Sequence, residues 1–193
     1  MSAHRQTPSQ TVGPFFGVGL TRPTASQHVL AAARTEGERI RIQGKVFDGA
    51  GQGVGDALVE IWQANAHGRY RHPLDTGAAP IDPSFHGFGR CPTDAAGSFA
   101  FETVKPGAIQ SADGTTQSPH VNVIVFSRGM LVHAFTRMYF SDDDHVNDPV
   151  MSLVDRDRRA TLVGARTAAP AGLIVYHWDI RLQGDNETVF FDA

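Results

Sequence analysis

One cysteine, Cys91, stands in a chain of 193 residues, so the sequence offers neither an internal disulfide nor a Cys-based zinc site. Long like-charge runs are absent too. The 17 basic and 20 acidic residues leave a formal charge of -3, and the longest run of one sign is Asp142-Asp143-Asp144. With no basic stripe to neutralise phosphates, nucleic acid is not an expected partner. No apolar run approaches the ~18 residues of a membrane span, and the polar opening from Met1 to Gly13 lacks the apolar centre of a secretion signal. A soluble, cytoplasmic protein is expected. No G-x-S-x-G elbow, P-loop or dinucleotide glycine fingerprint follows a strand-like run, which removes those reaction classes.

What is present is the composition of a folded domain, 41% apolar and 19% charged with 20 Gly and 11 Pro. A single domain of this length buries roughly 70% of its unfolded surface. In Arg39 to Phe47 (RIRIQGKVF), Ile40, Ile42 and Val46 alternate with Arg39, Arg41, Gln43 and Lys45, a period of two that predicts a half-buried strand. Ala57 to Trp62, Ser98 to Val104, Val121 to Phe126, Met130 to Tyr139 and Leu173 to Leu182 are further strand-like runs between Gly, Pro, Asp and Ser clusters. Their spacing predicts an all-β sandwich or barrel. Asp148-Pro149, a capping residue followed by the residue best tolerated at the first helical position, predicts a helix of two or three turns. Residues 26 to 36 (SQHVLAAARTE) are a second, short helix candidate. Thr7 to Leu20 and His67 to Pro92 are expected to be long functional or partner-bound loops, with Phe15 and Phe16 packed against this domain or another chain.

Nine histidines invite a metal reading. His67, His72 and His86 fall in the long loop. His120 opens a strand, and because side chains at i and i+2 share a face, its partner in a two-histidine site would stand at 122. That position holds Asn122, an amide and a poor ligand for a transition metal. Glu60 and Asp94 have no second carboxylate at a catalytic spacing and are expected to be solvated or turn-capping. Trp62 and Phe88 are expected to be core or interface aromatics.

VEIWQANAHGRYRH (Val59 to His72), DPSFHGFGRCPTDAAGSFAFETVKPG (Asp82 to Gly107) and PHVNVIVFSRG (Pro119 to Gly129), followed by MYF at Met138 to Phe140, resemble the intradiol ring-cleavage dioxygenases in content, order and spacing. The likeness runs from TPSQTVGPF at Thr7 to IVYHWDIRLQG near the end. It implies an all-β, intradiol dioxygenase-like sandwich over residues 39–193 with long loops and one or two short helices. An arm of residues 1–38 that contacts a partner subunit would precede it.

The family's chemistry uses a non-haem ferric ion, Fe(3+), held by two tyrosinates and two histidines, hard phenolate oxygens stabilising the ferric state. Carried over by motif, the first tyrosine falls on Tyr70 and the first histidine on His120, whereas the second tyrosine falls on Ile109 and the second histidine on Asn122. Neither of the remaining tyrosines, Tyr139 and Tyr176, is a ready substitute. The family members that act on protocatechuate with O2 pair an iron-bearing β subunit with an α subunit that has lost its iron, and the opening TPSQTVGPF is similar to the α type. The resemblance therefore implies no catalytic residue in this chain alone and an iron held by the β partner. Thr11, Gly13 and Pro14 are expected to line the partner's substrate pocket, as is an arginine, best matched by Arg128 with Arg137 as the other candidate. Two further readings are a self-sufficient dioxygenase ligating through His67, His72 or His86, and a transthyretin-like binding module sharing the GKVFDGAGQGVGDALVEIW pattern. Ile109 and Asn122 argue against the first, and the retained GRY, GRC and KPG argue against the second.

Overall fold

The computed structural model describes residues 13, 15–22, 27–111, 113–168 and 173–192. Its strands are β1 (Arg39–Phe47), β2 (Leu58–Gln63), β3 (Phe88–Pro92), β4 (Ser98–Val104), β5 (Ile109–Gln110), β6 (Thr116–Gln117), β7 (His120–Phe126), β8 (Ala134–Phe140), β9 (Val163–Ala168), β10 (Ile174–His177) and β11 (Ile180–Arg181). A continuous ladder runs β11-β1-β10-β9-β8-β7-β2-β3, with β4 added to β1, and β5 and β6 form a separate hairpin. The ladder turns its corner at β9, whose first residues pair in parallel with Tyr139 and Phe140 of β8 and whose later ones pair antiparallel with β10. This folds the ladder into two layers, β3-β2-β7-β8 and β4-β1-β10. The alternation explains what lies between them: Ile40, Ile42 and Val46 from β1 and Phe101 from β4 meet Val59 and Ile61 from β2 and Val121, Val123 and Val125 from β7 in one core. The other faces of β2, β7 and β8 are left to carry Glu60, Trp62, His120, Asn122, Arg137 and Tyr139.

β1 and β4 occupy the predicted spans, while several other readings need correction. Residues 27–36 are not helical. Gln27 exchanges backbone bonds with Arg90, and His28 and Leu30 bond to Glu102, so this part of the arm straps the edges of β3 and β4 together. The helix expected at Asp148-Pro149 is reduced to a single 3-10 turn, Met151–Leu153, followed by another at Arg159–Leu162. Asp148 does cap it, its Oδ1 accepting the Val150 and Met151 N–H groups at 3.0 and 2.8 Å, but Oδ2 also accepts Ser118 N–H at 2.7 Å. The turn is thereby pinned to the sheet, and Val154 leaves it in an extended conformation. The long loop from His67 ends in β3, and Phe15–Leu20 is a short helix. Asp94 caps its turn by accepting the N–H groups of Ala96 and Ser98, and Glu60 pairs with Arg90 across β2 and β3. Among the described residues no helix is long and apolar enough to cross a membrane.

Between β10 and β11 the chain crosses β1 at Gly44. A Cβ there would lie 1.7 Å from the Trp178 carbonyl oxygen, a backbone atom held in place by the Trp178 N–H bond to Gln43. Gly44→Ala is expected to cost at least about 2 kcal/mol through overpacking. Guanidinium unfolding measures this, and an unchanged midpoint would contradict the crossing.

Candidate functional site on the outer face of the sheet

The GRY segment is shaped by its neighbours before any ligand is considered. Asn65, nearly fully buried, accepts the His67 and Arg69 N–H groups on its Oδ1 at 2.9 and 3.0 Å and donates from Nδ2 to the Pro80 carbonyl. Gly68 turns the chain at φ +77°, and a Cβ there would meet the Ala108 carbonyl oxygen at 1.8 Å, so only glycine lets the GRY turn lie against the KPG segment. Asp75 then fixes the far side, accepting Tyr70 N–H at 2.7 Å and pairing with Arg69 at 3.0 Å.

These contacts lay Tyr70 over the outer face of the sheet. Its ring stacks on Trp62, centroids 5.8 Å apart and planes 10° from parallel. Trp62 stands opposite Asn122, which stands opposite Arg137, making one row across β2, β7 and β8. Asn122 Nδ2 donates to the Tyr70 hydroxyl at 3.0 Å, and its Oδ1 is buried with no hydrogen-bond partner. Arg137 Nη1 donates to Gln117 Oε1 at 2.9 Å, and Gln117 pairs across the hairpin with Ile109. His120, two residues before Asn122 on the same face, is buried, and its Nδ1–H donates to the Ser118 carbonyl at 2.8 Å.

The family's iron fits part of this set. His120, with Nδ1–H on a carbonyl, has the orientation a metal-bound imidazole takes, and Tyr70 supplies a phenol. Ile109 supplies no donor, and Asn122 turns an N–H, not a lone pair, toward the Tyr70 oxygen. Burial raises the Tyr70 phenol above its ordinary range, against the opposing pull of the Arg137 charge and the Asn122 hydrogen bond. The other tyrosines are committed elsewhere: Tyr139 donates to Asp148 at 3.0 Å and Tyr176 to Asp142 at 2.9 Å, and burial with the Asp142 bond pushes Tyr176 up to about 12. Two donors of four do not make the ferric site.

The expected histidine alternatives do not converge either. His67 pairs with Glu36, His72 accepts Leu74 N–H, and His86 lies against Arg71. Among the described residues no group of three or more His, Cys, Asp or Glu side chains is placed to hold a metal. Arg128 lies beyond the end of β7, in the turn that leads toward β8, with its side chain 81% exposed and paired to Asp56 at 3.0 Å. The arginine in the Tyr70 cluster is Arg137. Gly13 is exposed, and Thr11 and Pro14 lie outside the described residues. Gln117 went unmarked by the sequence and Asp148 was marked only as a helix cap, since an amide in a two-residue strand and a cap carry no signal of a site.

Burial, with the Arg137 charge second, lowers His120 from its ordinary 6.5 to about 4. Between those values the unfolded chain binds more protons than the folded one, so this contribution is full above pH 6.5 and is lost as pH falls toward 4. Unfolding free energies should be about 2 kcal/mol lower at pH 5 than at pH 8 from this group, and His120→Gln should flatten that part of the profile. Equal slopes for both proteins would contradict the assignment.

A family model described as Dioxygenase matches residues 12–184. The chain is 45% identical over 204 residues to the protocatechuate 3,4-dioxygenase alpha chain of Burkholderia cepacia, covering 100% of both. It is 38% identical over 158 residues to the protocatechuate 3,4-dioxygenase beta chain of the same organism, covering 79% of this chain and 67% of that one. Among solved structures, the dioxygenase domain of a dioxygenase carbohydrate-binding protein fusion from Streptomyces sp. SirexAA-E superposes with a TM-score of 0.61 at 24% identity, over 93% of this chain and 99% of that one, and shows the same fold. With its sandwich, its GRY and KPG loops and its match over nearly the whole length, the chain belongs to the intradiol dioxygenase family.

Proposed function

We propose that this chain is the α-type subunit of a protocatechuate 3,4-dioxygenase of the cytoplasm, pairing with an iron-bearing β subunit and completing that subunit's substrate pocket. The reaction opens protocatechuate between its two hydroxyl-bearing carbons to 3-carboxy-cis,cis-muconate, both atoms of O2 ending in the new carboxyl groups. The observation that carries the reading is the Asn122 to Tyr70 hydrogen bond, together with Ile109 at another ligand position. In a family defined by four-ligand iron chemistry, this chain keeps the loops and lacks half the donors. Its similarity to an alpha chain over its full length supports the same conclusion.

In this reading the chain's own residues bind and orient; they do not react. Thr11, Gly13 and Pro14 line the partner's pocket, where Gly and Pro let backbone approach a ring closely with little freedom. Arg128 supplies a guanidinium for the substrate carboxylate. Its place favours such a role toward another chain, because the β7–β8 turn holds it out with Leu131 and Val132, 66% and 59% exposed.

Reconstitution with the β subunit tests this. A Cβ at Gly13 meets nothing within 4 Å among the described residues, so Gly13→Val should fold normally, leave the iron content of the complex unchanged and raise KM for protocatechuate. Arg128→Ala should weaken protocatechuate by roughly 1.5 to 3 kcal/mol in kcat/KM while affecting unsubstituted catechol little. Steady-state O2 uptake with both substrates separates shape from charge. Unchanged parameters for both variants would reduce the chain to a scaffold.

A further inference from the structure

We propose that the guanidinium of Arg137 stands where the family holds its metal's positive charge, and that it keeps a metal cation out independently of the two missing donors. The proposal rests on the chain's family membership, which assigns the ligand positions, and not on its role beside a β subunit.

Arg137 is linked to each of the four positions. It stands directly opposite Asn122 in the β7–β8 register. It holds Gln117, the cross-hairpin neighbour of Ile109, at 2.9 Å. Its charge acts on both Tyr70 and His120. Its charge also acts on Tyr139, which sits on the same face two residues on and pairs with His120 in the register. One cation thus ties together the positions that a bound metal would tie together.

That charge is not cancelled by contact. Among the described residues Arg137 is in no salt bridge. The acids near the cluster are occupied by other groups: Asp75 by Arg69 and Tyr70 N–H, and Asp148 by Tyr139 and three backbone N–H groups. A second cation entering this half-buried space meets a like charge that no contacting carboxylate offsets, Asp75 and Asp148 acting only from a distance, and a ferric ion meets roughly three times the repulsion of a monovalent one. A guanidinium does not shed its proton to relieve this. Restoring the donors therefore does not by itself restore the metal.

The test uses the full chain with donors returned, Ile109→Tyr/Asn122→His, after loading with ferrous iron in air. With Arg137 in place it should take up at most about a tenth of an iron per chain, rising to about one, with the visible absorption of a ferric tyrosinate, when Arg137→Gln is added. Arg137→Lys, which keeps the charge, should stay iron-poor. A smaller perturbation guards against a triple variant that does not fold: cobalt(II) should bind Asn122→His/Arg137→Gln at least about tenfold more tightly than Asn122→His alone. Full iron loading with Arg137 present, equal behaviour of the Gln and Lys variants, or equal cobalt affinities would each overturn the proposal.

Discussion

The amide of Asn122 donates to the hydroxyl of Tyr70, and the arrangement of the outer face follows from that bond. It holds the Tyr70 ring flat on Trp62 and closes the GRY loop over β2 and β7. The bond is between neutral groups, since burial keeps the phenol protonated at neutral pH. It also turns the Asn122 donor toward the one phenol that stands at a ligand position, Tyr70. A metal centre at these positions needs that oxygen as an anion and a ligand lone pair from position 122, whereas here the phenol keeps its proton and Asn122 presents an N–H to it. The cost is visible in Asn122 Oδ1, buried without a partner.

The motifs survive without the metal because most of their residues hold backbone, not ligand. Asn65 of WQAN organises the GRY turn, Gly68 makes room for the Ala108 carbonyl, and Gly107 N–H donates to the Asn65 carbonyl. Lys105 of KPG reaches Asp142 at 3.1 Å and Asp143 at 2.9 Å and lies over the Phe140 ring, tying the loop after β4 to the loop after β8. None of these contacts involves a ligand atom. A chain can therefore lack two donors and still keep the loops that would present them.

Strand content was legible wherever alternation was strict. β1 and β4 match the pattern from end to end because one face of each is buried in the sandwich core. β3 and β9 were missed, since FGRCP and VGARTA carry Gly, Pro and polar residues whose extended form is imposed by the strands beside them. The run from Leu173 to Leu182 splits in two because Trp178 and Asp179 bond to β1 through Gln43 O and Lys45 N. The site was legible only as motif. Arg137 in an alternating strand looks like any solvent-facing arginine until the register sets it opposite Asn122, and no local pattern ties Ile109 to Arg137 through Gln117.

The central claim is that this chain is built around a hydrogen-bonded cluster where its relatives' chemistry calls for a ferric centre. Metal analysis and a visible spectrum of the unaltered full chain, purified without a β subunit after loading with ferrous iron in air, test it most directly. The account predicts a colourless protein with no stoichiometric iron. A coloured protein carrying about one iron per chain would contradict it.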